Sequence, residues 1–314
     1  MLGVTALDAI NEWLLDGPRM MPGSPEVTTI ARLGDVRKRH IYQESFGLVA
    51  DGADEFRRVA RECVRDGVDV MKINVSGDEF VSHVRAEILP TEDEELAAFV
   101  KVAHSFGKTI AARARSSQSV KMAIRHGVDC IYHCDFADEE ALDMLEAAKD
   151  RIWVGPAFGL VYSSTKEGDA AGLKPDVVGS LHLYRKFDAT CATYHEIRNR
   201  GVRVVEGGNY EFAVTPMVQN ARDIDHFLRF VGYDPINALK CAMTVGQSLM
   251  GRAEDLGQIK EGFLADLLLV KGDVTKDVSL VQHQDNLSMI MKDGVIWKDP
   301  RRNAMGAGLI GAAE

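Results

Sequence analysis

One pattern of apolar and polar positions recurs along the chain. A helix with a polar face runs into Gly-Val-Asp or Gly-Val-Arg, and a short apolar run follows that closes on a polar residue. Arg65-Asp66-Gly67-Val68-Asp69 leads into Val70-Met71-Lys72-Ile73, and Arg125-His126-Gly127-Val128-Asp129 leads into Cys130-Ile131-Tyr132-His133. Arg200-Gly201-Val202-Arg203 leads into Val204-Val205-Glu206-Gly207 in the same way. A glycine after the last helical turn is a C-cap signal, and an unbroken apolar run behind it reads as a buried parallel strand. Two more strands fit the rhythm, 109–112 behind a helix at 93–106 and 152–155 behind a helix at 139–148. Alternation of this kind predicts βαβ units around a parallel sheet.

A barrel is favoured over an open doubly wound sheet. No Gly-x-Gly-x-x-Gly loop follows a strand, so the dinucleotide fingerprint is absent. Several strands instead end in groups with chemistry, namely Lys72, Arg113 with Arg115, His133 and Asn209. Polar residues at successive strand C-termini are how a (β/α)8-type (TIM) barrel assembles its site. Any one of them has a plain alternative as a solvated strand end. Helical patterns follow at 220–230 and 235–250, and then the chain changes character. A polar turn at 255–262 precedes a strand at 265–270, and 287–291 with 295–298 forms a hairpin around Asp293-Gly294. The expected organisation is a barrel over 1–254, a small β module pairing with its side over 255–300, and a flexible Gly/Ala-rich tail over 301–314.

Composition narrows the function classes. The 314 residues are 46% hydrophobic and 27% charged, enough for one large α/β domain with a substantial core. The net charge is -10 and no basic run exceeds Arg37-Lys38-Arg39-His40, which argues against nucleic acid as a partner. The five cysteines are odd in number and scattered, a pattern of reduced core thiols rather than of a disulfide framework. Cys130 and Cys134 are close together, but no second pair completes a zinc ribbon. Met1-Leu2-Gly3-Val4-Thr5 does not open a signal peptide, and no apolar run approaches the ~20 residues that span a bilayer. A soluble, cytoplasmic protein with a small-molecule substrate and no membrane partner is expected.

Three stretches carry a family likeness. They are residues 69–78, residues 120–135 ending in Tyr132-His133-Cys134-Asp135, and residues 256–267 with Met291-Lys292-Asp293-Gly294 behind them. On these the chain resembles the amidohydrolase superfamily over nearly all of residues 1–300, especially its prolidase-like, phenylurea-hydrolase-like and molinate-hydrolase-like branch. The resemblance implies one or two divalent metals that activate water and polarise a carbonyl. The implied ligands are a His-x-His pair on the first strand, a carboxylated lysine, two single histidines and a late aspartate that also shuttles protons. Lys72 stands at the lysine position and His133 at one single histidine. Arg113 stands where the other histidine belongs, and Asn209 where the aspartate belongs. The His-x-His pair has no counterpart, and residues 3–5 resemble the second strand. The expected fold is therefore a barrel lacking its first strand, with a remnant of the C-terminal β-sandwich module. The exposed edges this leaves predict a homo-oligomer.

These departures change the chemistry expected. An arginine cannot deprotonate, so Arg113 brings a permanent positive charge to a metal-ligand position. Asn209 cannot take a proton from attacking water. Lys72 and His133 are the ligands if any metal binds, whereas catalytic zinc takes three protein ligands. No cofactor is expected, and zinc or another divalent metal belongs only to a hydrolase reading. Uncarboxylated Lys72 beside Arg113 and Arg115 predicts a cationic pocket for an anionic group; the alternative for Arg113 is a structural pair with Asp78 or Glu206. Tyr162, Tyr210 and His40 are expected to touch substrate, with His133, Lys72, Asn209 and Arg113 as the catalytic set. His182, His195 and His226 lie in helical patterns and read as structural, His104 reads as a surface residue, and His126 sits at a helix C-terminus where the dipole favours a cation. Three function classes follow: an enzyme of this fold doing metal-poor or metal-free cyclisation, isomerisation or lyase chemistry on a small anionic or aromatic molecule; a metal-dependent hydrolase of an amide, urea or carbamate C–N bond; and a non-catalytic ligand-binding or subunit homologue. The first fits the substituted positions best.

Overall fold

The computed structural model describes residues 2–81 and 83–299, so the expected tail over 301–314 lies outside the described residues. The chain divides into two compact units, residues 1–216 and 217–314. The boundary drawn from sequence at 254/255 falls inside the second of them.

The first unit is built on seven parallel strands. They are β1 (Val27–Thr28), β2 (Leu48–Val49), β3 (Val70–Asn74), β4 (Thr109–Ser116), β5 (Cys130–Phe136), β6 (Trp153–Gly155) and β7 (Arg203–Val204), in the order β2-β1-β3-β4-β5-β6-β7. Every pairing is parallel, and helices return the chain between successive strands from β2 to β7, as in a (β/α) barrel, whereas a loop joins β1 to β2. Gly67 and Gly127 take left-handed φ values of 83° and 77° behind their helices, a conformation open to glycine at little cost. Helix starts are closed by side chains. Asp138 accepts from the Ala141 N–H at 2.9 Å, and Glu92 with Glu95 forms a reciprocal capping box.

One expectation is overturned at the N-terminus. Residues 3–5, read as a strand, lie within a helix, Leu2–Asn11. Val4, Leu7 and Ile10 follow helical spacing, which a three-residue window conceals.

Alternation along the strands sorts the residues. Met71, Ile73, Ala112, Ala114, Ile131 and Val154 are fully buried toward the helical layer. Behind them, Phe56 of helix Gly52–Arg65 meets Phe99 of helix Asp93–Ser105 edge to face, centroids 6.1 Å apart. The opposite sheet face carries the polar set. In register across β3, β4, β5 and β6 lie Asn74, Arg113, Tyr132 and Gly155. A Cβ on Gly155 would sit 3.2 Å from the Tyr132 ring, so glycine there makes room for the tyrosine.

The second unit contains the helical turns Arg222–His226, Pro235–Lys240 and Gly246–Leu249, then an antiparallel sheet in the order β10-β9-β8. Its strands are β8 (Leu267–Val270), β9 (Leu287–Lys292) and β10 (Val295–Lys298). Asp293 and Gly294 turn the hairpin with φ of 51° and 78°, the two positive values of a type I′ turn. No residue of these three strands is buried, and Leu268 and Leu269 are 58% and 52% exposed. Among the described residues no helix is long and apolar enough to cross a membrane.

Candidate functional site

β3 and β4 present Lys72, Asn74, Arg113 and Arg115 from alternate positions on one face, and β5 adds His133 and Asp135. Strand alternation alone does not aim His133 this way, because its partner Ala114 belongs to the helical side. The register shifts between Ala114 and Ser116, and His133 and Cys134 take left-handed φ values of 81° and 53°. Two such residues in succession at a strand irregularity re-aim a side chain, and the backbone strain is held by the surrounding packing.

Arg113 and Arg115 do not stand free. The Arg113 guanidinium pairs with Asp78 and donates from Nη1 to the Gly77 carbonyl at 2.8 Å. The Arg115 Nε lies 3.1 Å from Asp78, and its Nη1 pairs with Asp135. Thr190 Oγ1 lies 2.9 Å from Asp135 Oδ1, and Thr193 Oγ1 donates to the Asp135 carbonyl at 3.0 Å, so helix Leu183–Asn199 is tied to the end of β5. All four charged groups are buried. The cationic pocket expected from Lys72, Arg113 and Arg115 is thus corrected, because two carboxylates offset the two guanidiniums.

His133 sits in a field of cations. Burial, then Arg115, Arg113, Lys186 and Lys72, hold its pKa well below that of free imidazole. The ring is therefore neutral near pH 7, and its Nδ1 meets no hydrogen-bonding protein atom. Burial pushes the Lys72 ammonium down, with Glu26 opposing and Arg113 and Arg115 assisting. Glu26 is also the acceptor for Asn74 Nδ2 at 2.7 Å. Lys186 is fully buried, and burial with Arg115 lowers it far below a solvated amine. Sequence reading passed over Lys186 and Glu26. Lys186 sits in an ordinary amphipathic helix, and the one available signal was a lysine at a buried helical position.

The remaining expected residues are placed as follows. Tyr162 ends helix Phe158–Tyr162, its ring 6.3 Å from that of Phe187. The Tyr210 ring lies close to Gly159, where an added Cβ would come within 3.0 Å of Cζ. Asn209 has a left-handed φ of 53°, and its carbonyl accepts from Thr215 Oγ1 at 3.1 Å. His40 is exposed in the loop between β1 and β2, beside the exposed Tyr42, and is not brought to the cluster.

The family model for the amidohydrolases matches residues 4–297. The chain belongs to the amidohydrolase family. It is 22% identical over 315 residues to the ochratoxinase of Aspergillus niger, covering 95% of this chain and 64% of that protein. The crystal structure of that ochratoxinase superposes with a TM-score of 0.82 at 21% identity, covering 95% of this chain and 70% of the other. A Xaa-Pro dipeptidase with bound methionine gives 0.83 at 24% identity, covering 94% and 72%. Molinate hydrolase gives 0.72 at 16% identity, covering 93% and 69%. The chain therefore spans about 64% of the length of the curated relative it matches.

This family usually works with divalent metals, so the donor set is the test. Among the described residues no group of three or more His, Cys, Asp or Glu is arranged to hold a metal ion. Lys72 and His133 are flanked by Arg113 and Arg115; Asp78 and Asp135 are engaged by those arginines, and Glu26, the carboxylate that acts on Lys72, accepts from Asn74 Nδ2. Among the described residues, the donors at this site do not make up the set that a divalent ion takes.

Proposed function

We propose that this chain acts on a small anionic or aromatic organic molecule by proton transfer at the amidohydrolase-fold site, in a cyclisation, isomerisation or lyase-type reaction. The observation that carries it is the buried His133 ring, whose Nδ1 has no protein partner and which lies among Lys72, Lys186, Arg113 and Arg115. A neutral imidazole takes a proton, and Lys72 and Lys186, which unlike the two arginines are in no ion pair among the described residues, stabilise negative charge that develops on the substrate. Lys72 serves as a free amine. Arg113 stands where the family's water-activating machinery needs a neutral donor, which supports chemistry other than metal-assisted attack. Among the described residues β8 and β10 each pair on one side only, which supports a homo-oligomer, and light scattering at high concentration tests this directly.

The test is exchange of carbon-bound hydrogen. The protein is incubated in deuterated buffer with a panel of aromatic and aliphatic carboxylic and keto acids, and products are read by mass spectrometry. Deuterium uptake or rearranged product, lost in His133→Gln and unchanged by chelator, supports the reading. Stoichiometric zinc, manganese or cobalt in the purified protein, with activity abolished by chelation, overturns it.

A second reading, hydrolysis of an amide, urea or carbamate C–N bond, is favoured by the relatives, which include an ochratoxinase and a Xaa-Pro dipeptidase. Release of amine from N-acyl amino acids and dipeptides, with and without added metal, separates the two. A ligand-binding homologue without turnover is silent in both assays.

A further inference from the structure

Three buried arginines lie in the first unit, and one differs from the others. Arg113 and Arg115 each face a carboxylate, whereas among the described residues Arg32 has none within ion-pair distance, although it is 2% exposed. Its Nη1 donates to the Asn74 carbonyl at 3.0 Å and to Thr91 Oγ1 at 2.6 Å. Its Nε and Nη2, the two donors that together form a fork, meet no hydrogen-bonding protein atom. Glu95 and Asp51 act on it through space, and burial outweighs them, pushing the guanidinium down to about 10. Glu95 is committed elsewhere, since its carboxylate accepts from the Gly52 and Glu92 N–H groups at 2.9 Å each.

Two more orphaned groups share the neighbourhood. Thr28 Oγ1 and Asn74 Oδ1 also meet no hydrogen-bonding protein atom, and both residues are at most 1% exposed. β1 and β3 pair Val27 with Ile73, so Thr28 and Asn74 come next to each other one residue on. The Asn74 amide is oriented by its own bonds: Nδ2 donates to Glu26 Oε2 at 2.7 Å and to the Leu33 carbonyl at 3.1 Å, which fixes Oδ1 as the idle acceptor. A buried cation without a counter-charge is costly, and so is each idle polar atom beside it. A guanidinium fork matches the two oxygens of a carboxylate, and Asn74 Oδ1 asks for a donor next to them. Ile30 and Ala31, which lead into Arg32, are both exposed, so the chain passes from the surface to the buried guanidinium within two residues.

We infer that Arg32, with Thr28 and Asn74, binds the carboxylate of a small ligand that carries a hydroxyl on the neighbouring carbon. This rests on the reading that the chain's ligand is an anion, and moves its recognition away from Arg113 and Arg115. Calorimetric titration with mandelate, the neutral mandelamide, and phenylacetate tests it. Mandelate is expected to bind at least about tenfold more tightly than mandelamide, with phenylacetate between them. Arg32→Lys keeps the charge but not the fork, and is expected to cost about tenfold for mandelate and nothing for mandelamide. Asn74→Asp, which sets a carboxylate of the chain's own beside the fork, is expected to suppress mandelate binding and covers the case in which the lysine variant does not fold. If both variants bind mandelate as the parent protein does, the assignment to Arg32 falls while anion binding stands. If mandelate and mandelamide bind alike, or neither binds at millimolar concentration, the anionic-ligand reading falls with it.

Discussion

The Arg113 guanidinium and the Asp78 carboxylate form an ion pair in which the two side chains are 5% and 3% exposed. Removing one partner of such a pair strands the other charge in a low dielectric. Asp78→Asn is therefore expected to destabilise the protein by about 3–5 kcal/mol. Replacing both residues with apolar ones of similar volume is expected to cost much less. Urea melts of the three proteins check this, and equal losses for the single and double variants would contradict it.

Restoring the family pattern tests why the donor set fails to fit a metal. Arg113→His with Asn209→Asp puts two donor residues back at family positions, yet supplies no counterpart of the first-strand pair. Zinc uptake, measured by elemental analysis after dialysis, is expected to rise modestly and stay below one equivalent. Full occupancy would show that those two residues alone account for the difference.

Gly159 is a packing constraint at the edge of the site. An added Cβ would lie 2.7 Å from the Gly208 carbonyl oxygen and 3.0 Å from Gly208 Cα. Both are backbone atoms, and the Leu160 N–H donates to that same carbonyl at 2.7 Å. Gly159→Ala is expected to cost about 1–3 kcal/mol through overpacking and to displace Tyr210. A thermal melt reads the first effect and tyrosine fluorescence the second; an unchanged melt would show that the loop gives way freely.

Asp138 carries a pH dependence that lies away from the site. Its hydrogen bonds with Ser117, the Ala141 N–H and Lys121 hold the carboxyl down at about 2. Its folded value lies below the ordinary carboxyl range of about 3.9, so its contribution is complete above that range and is lost as pH falls through about 2. Asp138→Ala is expected to cost about 1 kcal/mol at pH 7 by removing the helix cap. The gap between variant and parent should narrow between about pH 4 and 2 in acid melts, and a constant gap would remove the charge from the account.

The parts of the fold readable from sequence were those with a repeated local signal. β3, β4, β5 and β6 and the helices Asp93–Ser105 and Glu139–Ala147 fall where glycine caps and apolar runs put them. β1 and β2 are two residues each, too short to show a period, and helix Leu2–Asn11 was hidden by the strand likeness of residues 3–5. At the site, Lys72, Arg113 and Arg115 were legible as strand-end positions by alternation, and His133 by its position in the βα repeat although alternation points it to the other face. Their partners were harder to foresee. Asp78 was one of two candidates for Arg113, whereas Asp135 meets Arg115, and Asn74 meets Arg32, across 20 and 42 residues of sequence. Pairings of that range follow from strand register, which the sequence does not display. Lys186 and Arg32 carry no motif, and only their burial separates them from solvated lysines and arginines.

The alternation of charged and apolar positions on β3 and β4 also bears on how the chain folds. Were β4 to slip by one residue against β3, Arg113 and Arg115 would turn into the layer now filled by Ala112 and Ala114, away from Asp78 and Asp135. A misregistered sheet would thus bury two unanswered guanidiniums, a penalty no ordinary apolar slip incurs. The ion pairs that crowd this site act as a proofreading device for strand alignment, and a variant with both arginines made apolar is the one in which kinetic traps from shifted pairing should begin to accumulate.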